Sequence, residues 1–185
     1  KLKITLFMSS DLYYISRKSV LTTNAPLLIM CHGYGSDEND LFSFASELPE
    51  ELFIISLRAP YQMQPYGNAW YAINFDAVQG KWSDNEQAKE SVNAISQFID
   101  YAVNTYPVNP NNVTLLGFSQ GTILSCAVAL NYPKKVKNID ELIVPTAIKN
   151  LSIISGAQDE LGIANLKQMH KSKILSKLGE LDADY

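Results

Sequence analysis

The chain has 185 residues, 46% of them hydrophobic, and a formal net charge of −4. This describes a single domain with enough apolar content for a real core, which argues against disorder. The mildly acidic balance offers no basic footprint for nucleic acid, and no apolar run approaches the roughly 20 residues that span a bilayer. The two cysteines, Cys31 and Cys126, both sit in apolar segments. They read as buried thiols, with no C-x-x-C or zinc spacing, so a reducing, cytoplasmic setting and no metal site are expected.

In chain order, KLKITLFMSS at 1–10 alternates like a strand and does not read as a leader. Residues 3–8 and 12–16 are expected to form an edge hairpin turned at Ser9, Ser10 and Asp11. Pro26 opens the solid run LLIMC at 27–31, and LFIISL at 52–57, VTLLG at 113–117 and LSIIS at 151–155 are similar. Apolar runs that do not alternate fit strands covered on both faces, as in a parallel sheet.

Helices are expected between these runs. Residues 37–48 place Leu41, Phe44, Ala45 and Leu48 on one face, with Ser36 or Asp37 as cap and Pro49 as stop. Residues 84–106 carry Ala88, Val92, Ile95, Ile99, Ala102 and Tyr106 at helical spacing, with Ser83 and Glu86 as a capping box and Pro107 beyond the end. Residues 120–131 are apolar nearly all round, which predicts a buried helix, and 163–178 are amphipathic and Lys-rich. Alternation of this kind means an α/β fold with a mostly parallel sheet between helices.

Gly117-Phe118-Ser119-Gln120-Gly121 matches G-x-S-x-G, with an apolar strand before it and a helix after. A turn this tight holds its serine in a strained conformation, and flanking glycines remove the Cβ clashes. Ser119 is therefore the candidate nucleophile. The Gln120 N–H, at a helix N-terminus, is a candidate oxyanion donor. A second donor is expected from the loop after an early strand. Cys31-His32-Gly33-Tyr34-Gly35 stands there, with Tyr34 N–H as the candidate and Gly33 and Gly35 as flexible neighbours. His32 in such a loop reads as a structural histidine that holds it by hydrogen bonds. Cys31 reads as a strand-end residue and not as a thiol nucleophile.

Residues 59–82 form a long connection containing Tyr61, Tyr66, Trp70, Tyr71, Phe75 and Trp82. It reads as a lid or wall over Ser119, with Tyr66, Trp70 and Tyr71 expected to line an apolar acyl or alcohol site.

The segments LLIMCHGYGSDENDLFSFASELP, LRAPYQMQPYGNAWYAINFD, VTLLGFSQGTILSCAVALNYP and ISGAQDE resemble the carboxylesterase/phospholipase family of α/β-hydrolases, the group that includes acyl-protein thioesterases. The resemblance covers most of residues 25–160. It implies a three-layer α/β-hydrolase fold, Ser119 as nucleophile, Tyr34 and Gln120 as oxyanion donors, and Trp70 near the catalytic edge. It also implies Asp159, in GAQD, as the triad acid. Independently, a carboxylate at the end of a late strand suits the Ser–acid–His order of such folds. An Asp there also suits a simple turn cap.

The family's histidine follows one helix and one strand after the acid. Here the helix is followed by Gly179 and ELDADY. His170 falls in the middle of a Lys-rich helix, the wrong place for a base that must come from a loop. The run VKNIDELIVPTAIKN at 136–150 also leaves no room for the family's next central strand. The expectation is one domain, 1–185, lacking a C-terminal strand with the histidine and an internal strand near 138–139. The activity implied is hydrolysis of a small carboxylic ester or thioester without a cofactor. The alternatives are an inert scaffold binding an acyl ligand or partner, and peptide or lactone hydrolysis. Oligomeric state is open, and a homodimer is compatible with the sequence.

Overall fold

The computed structural model describes residues 12–76 and 80–136, together with the backbone of two short strands further on. Its centre is a four-stranded sheet of β1 (Tyr14–Arg17), β2 (Ala25–Cys31), β3 (Phe53–Leu57) and β8 (Val108–Gly117), in the order β1-β3-β2-β8. β2 runs parallel to both β3 and β8, and β1 lies antiparallel on the outer side of β3. The register pairs Cys31 with Gly117, so the turns that follow β2 and β8 leave the sheet at the same level.

Both faces of the central strands are covered, which explains their unbroken apolar runs. Leu27, Ile29 and Cys31 of β2 and Phe53, Ile55 and Leu57 of β3 join the larger core. That core also takes Val92, Ile95, Phe98 and Ile99 from α2 (Asn85–Thr105) and Leu124 and Val128 from α3 (Gln120–Asn131). The alternate residues Leu28, Met30 and Ile54 meet Leu41 and Ala45 on the opposite face. A strand's period of two thus sends successive apolar residues into two separate cores, and the sheet is the middle of three layers. No helix among the described residues is long and apolar enough to cross a membrane.

Several local expectations need correction. The helix expected over 37–48 is broken into α1 (Asn39–Phe42) and a 3₁₀ turn at Ala45–Glu47. Ser43 Oγ donates to the Asp40 carbonyl at 2.6 Å and Phe44 N to the Leu41 carbonyl, so short-range bonds displace the α ladder. The cap of α2 is Asp84, whose carboxylate accepts from the N–H groups of Glu86 and Gln87. Ser83 cannot cap because it is held in β7 (Gly80–Ser83), paired with β6 (Ile73–Asp76). The connection 59–82 carries two short antiparallel pairings, β4 (Tyr61–Gln62) with β5 (Asn68–Ala69) and β6 with β7.

Within LSIIS the described residues Ser152–Ile153 (β10) pair antiparallel with Val144–Pro145 (β9) in a separate two-stranded sheet. A link as short as 146–151 permits only antiparallel neighbours, since a parallel crossover needs about a dozen residues or more. The expected strand at 3–8, the helix at 163–178, the internal strand site near 138–139, Asp159 and His170 lie outside the described residues.

Candidate active site

Ser119 sits at the junction of β8 and α3 with φ 50° and ψ −116°. A non-glycine residue at positive φ is strained, and such strain persists only where the surroundings force it. The surroundings here are backbone. A Cβ on Gly121 would lie 2.0 Å from the Cys31 carbonyl oxygen, and one on Gly117 would lie 2.4 Å from the Thr122 nitrogen. Only glycine lets the start of α3 press against the end of β2 while the chain reverses at Ser119. The Ser119 hydroxyl makes no capping bond to its own helix. The helix is instead closed at its start by Gly121 N–H to the Phe118 carbonyl and Thr122 N–H to the Ser119 carbonyl.

The neighbouring turn is built differently. His32 is fully buried, and both its nitrogens are used. Nε2 accepts from Ala59 N–H at 3.0 Å, so Nδ1 carries the proton that bonds the Gly33 carbonyl at 2.7 Å. Burial holds the imidazole below its ordinary pKa and keeps it neutral. His32 therefore ties the loop to the end of β3 and has no nitrogen left to take a proton from Ser119. Further along, Gly35 N–H donates to the Asn68 carbonyl at 2.9 Å, and Asn68 N–H returns a bond to the Ser36 carbonyl at 2.8 Å. Glu38, buried, receives Nε and Nη2 of Arg58, each at 2.6 Å. The bonds from Arg58 hold the Glu38 carboxyl below the usual range.

The N–H groups of Tyr34 and Gln120 have no protein acceptor among the described residues. They belong to the two turns that leave the sheet at the same level. Unused donors at such a place are suited to receive an anionic oxygen. Cys31, wholly buried at the end of β2, has its thiol pushed up to about 12 by burial, which leaves it inert at neutral pH. Among the described residues, no group of three or more His, Cys, Asp or Glu gathers in a way that could hold a metal ion.

The aromatic residues expected to contact a ligand divide. Trp70 and Tyr71 are 0% and 1% exposed and belong to the core, so they do not present rings to a ligand in this structure. Trp70 is drawn in because each of its polar groups finds a partner: its N–H donates to Gln120 Oε1, its Nε1 donates to the His32 carbonyl, and its carbonyl accepts from Ser91 Oγ. Tyr66 stands 79% exposed at the tip between β4 and β5, and Tyr61 is bonded to Glu90 on α2. The exposed apolar rings beside the two turns are Phe118 and Tyr34, which the sequence did not single out for that role. Two further features had no sequence signal: the use of the Gln120 side chain, and the Glu38–Arg58 pair, whose members stand 20 residues apart.

Solved structures with similar folds include a Bacillus cereus carboxylesterase, at 23% identity and a TM-score of 0.55, covering 69% of this chain and 57% of that one. A protein of unknown function from Agrobacterium tumefaciens is 25% identical with a TM-score of 0.58, covering 70% of this chain and 59% of that one. A carboxylesterase from Mesorhizobium loti is 22% identical with a TM-score of 0.51, covering 60% and 51%. The chain thus spans less than two thirds of the length of each of these structures. Residues 18–144, which hold both turns, the Trp70 segment and the four-stranded sheet from β2 onward, match the Phospholipase/Carboxylesterase family model. With its mostly parallel sheet between helices and Ser119 at the strained turn after β8, the chain has an α/β-hydrolase fold and belongs to the phospholipase/carboxylesterase family.

Proposed function

We propose that the protein is a serine hydrolase of carboxylic esters or thioesters, acting on a small-molecule substrate through an acyl-enzyme on Ser119. The observation that carries this reading is the conformation of Ser119 itself, φ 50° at a helix N-terminus, with the next residue's N–H unused. Strain of this kind at an accessible serine has no structural benefit to the fold. Family membership and esterases among the structural neighbours support the same reading.

In the proposed cycle a histidine removes the Ser119 proton as Oγ bonds to the substrate carbonyl carbon. The carbonyl oxygen becomes an oxyanion held by Tyr34 and Gln120 N–H. Collapse expels the alcohol or thiol, which takes the proton from the imidazolium. Water, activated by the same histidine, then releases the acid. Asp159 is assigned to hold the imidazole's tautomer. Since His32 is committed on both nitrogens, the base is assigned to a segment other than the described residues. A cytoplasmic setting accords with the reduced, buried Cys31.

The test is intact-mass spectrometry of the protein with and without a fluorophosphonate, followed by peptide mapping and an ester, thioester and amide panel. One adduct on Ser119 with ester or thioester turnover is expected. A folded protein that takes no adduct sinks the hydrolase and favours an inert scaffold.

A further inference from the structure

We infer that the Gln120 side chain and Trp70 form a positioning bracket that sets the distance between the two oxyanion donors. This inference rests on the hydrolase reading above and names a device within the same site. Gln120 is 2% exposed, and both ends of its amide are used. Its Oε1 accepts from Trp70 N–H at 2.9 Å, and its Nε2 donates to the Tyr71 carbonyl at 2.8 Å. The residue whose backbone N–H faces the oxyanion is thus clamped through its own side chain to residues 70–71.

The same short segment holds the other donor's loop. Trp70 Nε1 donates to the His32 carbonyl at 2.9 Å, and the two rings lie 5.6 Å apart. Two residues earlier, Asn68 exchanges backbone bonds with Gly35 and Ser36, on the far side of Tyr34. The Tyr34 loop is therefore gripped before and after its free N–H. The segment is in turn fixed to α2. Ser91 Oγ bonds the Trp70 carbonyl at 2.5 Å, and Gln87 Oε1 receives Ala72 N–H at 2.8 Å, one helical turn apart.

The two donors belong to different turns. Among the described residues those turns meet through the Phe118 N–H bond to the Cys31 carbonyl and the packing of Gly121 against the end of β2, and the bracket adds side-chain bonds that reach both donors' neighbours. An oxyanion hole works only if its donors stand ready at the position the oxygen reaches in the transition state. Misplacement by about 1 Å costs on the order of 10²-fold in rate. The chemistry of the Gln120 amide suits it to this role. It is neutral, it donates and accepts at once, and it adds no charge beside the developing oxyanion.

The test uses the intact protein, with active sites counted by fluorophosphonate titration so that rates refer to folded, reactive molecules. Gln120→Met keeps the volume and removes both bonds. It is expected to lower kcat by about 10²-fold, to weaken a trifluoromethyl ketone by a similar factor, and to leave KM within about threefold. Gln120→Glu keeps the acceptor but sets a carboxylate against the Tyr71 carbonyl. Its deficit relative to wild type should narrow as pH falls and the introduced carboxyl regains a proton to donate. Trp70→Phe removes only the Nε1 bond and is expected to cost about tenfold in kcat; it decides the matter if the Gln120 variants do not fold. Unchanged kcat per titrated site, or a loss confined to KM, would overturn the bracket while leaving the hydrolase standing. Wild-type protein that neither labels nor turns over an ester would overturn the hydrolase, and the bracket with it.

Discussion

The turns after β2 and β8 leave the sheet at the same level and are held by opposite means. The β8 turn is shaped by exclusion: glycines at 117 and 121 admit backbone where any Cβ would collide, and Ser119 is left at positive φ. The β2 turn is shaped by bonds: His32 to Ala59 and Gly33, Gly35 and Ser36 to Asn68, and Glu38 to Arg58. Exclusion is rigid. It yields one geometry or none. Bonding is distributed over residues from several parts of the chain, so it fails by degrees and responds to pH. An oxyanion site made of one donor from each turn inherits both properties.

The largest expected effect lies at the excluded turn. Ser119→Gly should abolish fluorophosphonate labelling and lower ester turnover by about four or more orders of magnitude. The same change should raise the free energy of unfolding in urea by about 1 kcal/mol, because glycine adopts φ 50° without strain. A loss of stability instead would mean that the turn is not strained.

Next comes Gly121→Ala. With a methyl 2.0 Å from the Cys31 carbonyl oxygen, α3 must move off β2. A cost of at least about 3 kcal/mol is expected, read from the urea midpoint. A cost below about 1 kcal/mol would show that the turn yields, and the contrast between the turns would disappear.

The bonded turn should respond more gently. His32→Asn strands Ala59 N–H and is expected to cost about 2 kcal/mol at pH 7.5. Because burial lowers the folded-state pKa of His32, the unfolded chain binds the proton first. Wild-type stability should be complete above about pH 6.5 and decline as pH falls below it. The variant should lack that portion of the decline, which urea titrations between pH 7.5 and 5 would show.

The smallest effect concerns Glu38. Arg58 lowers its folded pKa, so the pair's contribution is present above about pH 4.3 and is lost as pH falls through the lower folded value. Arg58 is 41% exposed and can rehydrate. Glu38→Gln should therefore cost only about 1 kcal/mol at pH 7, with a shallower acid limb.

Much of this contrast follows from what is local. G-x-S-x-G between an apolar strand and an apolar helix predicted α3 over 120–131, where the structure has it, since the motif's own glycines mark the turn; Gly117 meets Thr122 nearby in sequence, while the contact of Gly121 with Cys31 appears only in the fold. The α2 helix was equally plain from its apolar spacing, although its cap is one residue later than expected, at Asp84, because Ser83 pairs with Ile73. The strand interiors of β2 and β3 were legible as runs because both faces meet apolar neighbours. The burial of Trp70 and Tyr71 was not legible for the opposite reason. An aromatic in a long connection reads as a ligand surface until one sees which polar groups its own backbone and ring can satisfy.

What the sequence determined by itself is therefore the α/β alternation, the serine at the tight turn, and the family, each carried by short segments whose pattern is legible without knowing their neighbours in space. What only the tertiary structure decided is the tautomer and inertness of His32, the burial of Trp70, the Glu38–Arg58 pair and the double use of Gln120. Each of these depends on partners 20 to 50 residues away, apart from the adjacent Gly33 carbonyl. A side chain's pKa, exposure and bonding are set by what surrounds it in space, and chain order does not specify those surroundings until the sheet brings them together.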